Sequence, residues 1–117
     1  MTNNSKQIEN LNLQLLASYL FLISNIASID ATIALKKQYE TNIENTSIKK
    51  TAKFAVSLQL IGIIIFLIVS FDDYQTLPTK YNKAFLDANV LSTISNIIRF
   101  QTLFNPNSSF EGSEDIS

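Results

Sequence analysis

The sequence has no cysteine, no histidine and no tryptophan, and only two glycines and two prolines. Without cysteine there is neither a disulfide nor a thiolate metal site. Without histidine the commonest general base and metal ligand is missing, which removes the most accessible route to hydrolytic and metal-dependent chemistry. Charge is scarce as well. Asp, Glu, Lys and Arg make up 16% of the chain, against about 25% in an average globular protein. The net charge of −1 and the scatter of the nine basic residues provide no basic face for nucleic acid. No glycine-rich phosphate loop, nucleophile elbow, HExxH or zinc pattern occurs. The expectation is a protein that is not an enzyme, takes no cofactor or metal, and has no nucleic-acid partner.

What the chain has instead is uninterrupted apolar sequence. From Met1 to Ile61 there is neither glycine nor proline, which in a chain 46% apolar favours long helices over strands and tight turns. An apolar segment from Leu11 to Ile29 lies between Glu9 and Asp30. "TNIENTS" (Thr41 to Ser47) is the densest cluster of turn and cap formers, and predicts a turn with Thr46 or Ser47 capping the next helix. That second helix is expected over 47–71, ending where Asp72 and Asp73 lead to Pro78. A third, amphipathic pattern covers 83–104, with Leu86, Val90, Ile94, Ile97 and Ile98 on one side and Asn89, Ser92, Asn96 and Arg99 on the other. Residues 105–117 read as a short, acidic, flexible tail. The fold class is all-α, with helices over about 8–40, 47–71 and 83–104 forming one domain of residues 1–104.

"FAVSLQLIGIIIFLIVSF", Phe54 to Phe71, is eighteen residues without a charge. As a helix it rises about 27 Å, close to the roughly 30 Å hydrocarbon thickness of a bilayer. Thirteen of the eighteen are Phe, Leu, Ile or Val, which gives an insertion free energy on the order of −6 kcal/mol, opposed mainly by Gln59. Paired with the segment before it, this run predicts a transmembrane helical hairpin in the cell membrane, with lipid as its surroundings. Met1 to Asn10 is polar and precedes no small-residue cleavage site, so the membrane segments are expected to stay in the mature protein.

Gln14, Ser18, Phe21, Asn25, Ser28 and Thr32 follow one another at steps of four and three, and so share one side of the first helix. Small and polar residues on one stripe are what helix interfaces in lipid use. Folding back at the turn sets Asn25 opposite the region Gln59 to Gly62, and Gln14 near Ser70. The predicted helix–helix interface is therefore Gln14, Ser18, Asn25, Ser28, Thr32, Gln59, Gly62 and Ser70. Lys36, Lys37, Lys49, Lys50 and Lys53 crowd the connection, which places the loop 36–53 in the cytoplasm and both termini outside. Asp87 and Arg99 disfavour a third span, so the third helix is expected along the membrane surface or against the hairpin.

Function follows only in outline. The sequence fits a non-catalytic membrane interaction protein, docking through its polar stripe and third helix on a partner protein or on copies of itself. A pore-forming, holin-like effector is an alternative by analogy of architecture, and a bacteriocin-immunity type of membrane protein another. Abundant Ile, Asn and Lys point to an A+T-rich coding sequence of the kind found in many bacteria.

Overall fold

The computed structural model describes residues 2–105, with side chains from Asn4 onward. Three helices account for the described chain: α1 (Thr2–Thr41), α2 (Ser47–Thr76) and α3 (Lys80–Phe104). The expected flexible tail lies, from Pro106 onward, outside the described residues.

Local chemistry sets each boundary. α1 ends where Asn42 turns left-handed at φ 58°, a conformation asparagine tolerates better than most residues. Its N–H still donates to Gln38 O at 2.8 Å. At the start of α2, Thr46 occupies the cap position but makes no side-chain capping bond. The carboxamide oxygen of Asn45 does that work, accepting from the N–H of Ser47 at 2.9 Å and from its hydroxyl at 2.7 Å. The acceptor thus lies one or two residues earlier than composition indicates. α2 runs on past Asp72 and Asp73 to Thr76, because acidic residues do not themselves break a helix. Pro78 does, and Leu77 before it is extended at φ −140° and ψ 90°. Thr79 then caps α3, its hydroxyl accepting from the N–H of Asn82 at 3.1 Å.

α2 is the central helix. α1 packs antiparallel along one side of it and α3 along another, while α1 and α3 do not pack on each other. The result is an elongated bundle, 61 × 26 × 21 Å. The third helix lies along α2 from Asp73 to Lys53: Asn82 reaches Asp73 at one end, and Lys53 lies over the Phe104 ring at the other.

Seam residues recur every seven positions in each helix. They are Asn10, Ala17, Ser24 and Ala31 in α1, then Ile48, Ala55, Gly62 and Val69 in α2, and Asn89 and Asn96 in α3. A repeat of seven in place of multiples of 3.6 is the signature of helices that wind gently around one another in a left-handed sense. Small residues, Ala17, Ser24 and Ala31 against Ala55 and Gly62, occupy the middle of the α1/α2 seam, so the backbones come close. At Gly62 an added Cβ would lie 2.8 Å from Phe21 Cε1 and 3.3 Å from Ala17 O.

Candidate functional site

Polar side chains gather at three levels of the bundle. At the turn between α2 and α3, the Asn10 amide spends one proton on Asp72 Oδ2 at 2.8 Å and the other on Asp73 Oδ1 at 3.2 Å. Asn10 is buried, and its two acceptors are half-buried. The neighbouring Asn82 amide donates to Leu77 O at 2.8 Å, tying the start of α3 to the end of α2. These groups line an open cavity of about 540 Å³ together with Lys6, Gln7 and Gln14. Among the described residues no group of three or more carboxylate side chains converges on one point.

Midway along the α1/α2 seam, Ser24 is fully buried. Its hydroxyl donates to Ala55 O at 2.6 Å, with Gln59 Oε1 at 3.4 Å from the same oxygen. Phe21 stacks on Phe66 one turn away, and Phe66 meets the edge of Phe85 on α3. One aromatic layer thereby links all three helices.

The third level is the α2/α3 seam. Asn89 and Asn96 are 7% and 6% exposed, while Leu91 and Ile94 are 68% and 53% exposed. The polar face of α3 points inward and its apolar face outward, the reverse of a helix packed in water. Asn96 Nδ2 donates to Ser92 O at 2.8 Å within its own helix. Asn89 Nδ2 and Asn96 Oδ1 have no hydrogen-bond partner among the described residues. The register fixed by Asn82 and Phe104 sets Asn96 level with Gln59 and Leu60.

The residues singled out from the sequence separate into two groups. Gln59, Gly62 and Ser70 lie on α2 faces turned toward the bundle, and Gln14 and Ser28 are half-buried beside the α1 seam. Ser18, Asn25 and Thr32 are exposed. Gln59 is met by Ser24 in place of Asn25, and the Ser70 hydroxyl donates to Leu67 O in its own helix at 3.0 Å. Sequence reasoning passed over Asn10, Ser24, Asn89 and Asn96. The series Asn10, Ala17, Ser24, Ala31 was the available signal, since it pairs the seven-residue step with the small side chains that close packing needs.

Basic groups collect at the opposite end from Asp72 and Asp73. Lys36, Lys37, Lys49, Lys50 and Lys53 surround the turn from α1 to α2, and the Lys53 ammonium sits 5.0 Å from the centre of the Phe104 ring. Lys6 pairs with Glu9 at 3.6 Å and Lys83 with Asp87 at 3.1 Å, each pair exposed and spanning a single helical turn. No family, no curated protein and no solved structure matches this chain.

Proposed function

We propose that the chain is a small integral membrane protein that acts without catalysis, through contacts between helices, as an accessory subunit of a membrane complex or as a homo-oligomer. The observation that carries this reading is the inverted polarity of the bundle. Ala, Ser, Gly and Asn make up most of the buried seam, beside Ile48, Ile63 and Val69, while Leu15, Leu22, Ile26, Ile29, Ile61, Ile68, Leu91 and Ile94 face outward. In water an apolar surface of this extent drives aggregation. In lipid it is ordinary, because acyl chains solvate Leu and Ile and association depends on small and polar residues.

α1 and α2 are both long and apolar enough to cross a bilayer. With the middle of Phe54–Phe71 at the membrane centre, the Ser24–Gln59 contact sits within about 5 Å of that plane. The cluster of Asn10, Asp72 and Asp73 falls about 15 Å away on one side, and Lys53 about 14 Å away on the other. Both lie at the edges of the hydrocarbon, where charge is tolerated. Because α3 lies alongside α2 from Asp73 to Lys53, the stretch that contains the apolar run, it crosses with it. Asp87 and Arg99 then sit about 9 Å from the centre, on opposite sides. Each faces outward; Arg99 is long enough to snorkel from that depth, and the Asp87 carboxylate is met by the Lys83 ammonium at 3.1 Å. The five lysines around the α1/α2 loop favour its cytoplasmic side. α3 brings Arg99 and Asn105 to the same side, leaving the N-terminus outside.

Fractionation followed by copurification tests the reading. The expected result is a protein that resists alkaline extraction of membranes and emerges from mild detergent with a partner in fixed stoichiometry, or as a defined oligomer. Recovery as a monodisperse particle in buffer without detergent or lipid would refute it.

A further inference from the structure

α1 carries a second seven-residue register, turned about a third of a revolution from the face that meets α2. Leu15, Leu22 and Ile29 alternate along it with Ser18, Asn25 and Thr32, at steps of three and four. All six are exposed. Such alternation sustained over this length is the pattern by which one helix pairs with another along a straight seam. Neither α2 nor α3 covers it. Asn25 stands out within the stripe. It lies between Leu22 and Ile29, and its amide has no hydrogen bond among the described residues.

We propose that this stripe is where α1 pairs with α1 of a second copy of the chain, the two helices parallel and Asn25 against Asn25. The inference rests on the membrane reading given above, under which Asn25 lies about 7 Å from the bilayer centre, beyond the reach of water. Copies inserted with the same sidedness hold their first helices parallel, related by a two-fold axis along the membrane normal. Like residue then meets like residue. An asparagine satisfies itself in that arrangement, each Oδ1 accepting from the other Nδ2, and Leu15, Leu22 and Ile29 stack as apolar layers around the pair. As the one carboxamide among the leucine, isoleucine, serine and threonine of this seam, Asn25 also fixes register and the number of strands. The adjoining outward stripe of Leu16, Ile23 and Asp30 fails the same test, because a two-fold axis would set Asp30 against its own copy.

The chain has no native cysteine, so single-cysteine variants test the pairing directly in native membranes. Ser18→Cys, Leu22→Cys and Asn25→Cys should give disulfide-linked dimers on mild oxidation, and Leu16→Cys and Ile23→Cys should give little. In vesicles of phosphatidylethanolamine and phosphatidylglycerol, energy transfer between labelled copies should show Asn25→Leu weakening self-association about tenfold. Asn25→Gln, which keeps the amide, should retain most of it. Equal cross-linking on both stripes, a ladder of products beyond the dimer, or unchanged association of Asn25→Leu overturns the pairing while leaving the membrane reading intact. Recovery of the unoxidised variants in the soluble fraction overturns both.

Discussion

Phe21 of α1 and Phe66 of α2 stack with ring centroids 5.4 Å apart and planes 5° from parallel. The space for Phe21 is the side chain that Gly62 lacks, since a Cβ there would fall 2.8 Å from Cε1 of its ring. Shape at this point joins the two longest helices in the chain. It also makes a glycine inside a helix, normally a weak choice, the residue that fits.

Gly62→Leu should force the Phe21 ring off Phe66 and separate α1 from α2. Overpacking of this kind costs about 1–3 kcal/mol, read as a lower midpoint in detergent-titrated unfolding. Phe21→Ala in the same chain should return part of the loss, because it vacates the space the leucine enters. A double-mutant cycle with no coupling between the two positions would contradict the contact.

Asn10→Leu removes the donor that serves Asp72 and Asp73 together. Hydrogen bonds to charged groups contribute about 1.5–3 kcal/mol each when they are not fully exposed, and half-buried acceptors place this pair toward the lower figure. Thermal unfolding in lipid nanodiscs should register the loss. Asp72→Asn introduced alongside should reduce it, since a neutral amide at that position tolerates the missing partner better than a carboxylate does.

Asn89→Leu and Asn96→Leu are expected to raise stability, by about 1 kcal/mol each. Asn89 Nδ2 and Asn96 Oδ1 are buried without a partner, so an apolar replacement removes an unmet demand at little further loss. Unfolding midpoints measured for the two single variants decide the matter. A fall in both would mean that water or a neighbouring chain satisfies these amides.

Cysteines placed at Asn4, Thr46 and Asn105 report the sidedness of all three helices. An impermeant maleimide applied to intact cells should label Asn4→Cys alone. Inverted vesicles should expose Thr46→Cys and Asn105→Cys to it. Labelling of Asn4→Cys and Asn105→Cys from the same side would mean that α3 does not cross.

Much of this architecture is legible in the residues. The lack of glycine and proline before Gly62 yields α1, the polar cluster Thr41 to Ser47 yields the turn, and Pro78 stops α2 at Thr76, two residues before it. The face of α1 that meets α2 is harder to read. The stripe Ser18, Asn25, Thr32 and the stripe Ala17, Ser24, Ala31 have the same spacing and lie one residue apart, about 100° around the helix. Polarity draws attention to the first, whereas close approach of two backbones selects the second, where side-chain volume is least. α3 poses a similar difficulty. Periodicity separates Asn89 and Asn96 from Leu91 and Ile94, but which face turns inward depends on the surroundings, and a periodicity in sequence contains no statement about solvent.

That α2 alone touches both of its neighbours has a consequence for biosynthesis. The bonds that α1 makes to α2, from Asn10 with Asp72 and Asp73 to Ser24 with Ala55, all lie within residues 10–73, so a nascent chain holds them complete before Lys80 is needed. Loss of Lys80 to Phe104 by truncation therefore subtracts one flank of α2 without undoing the other.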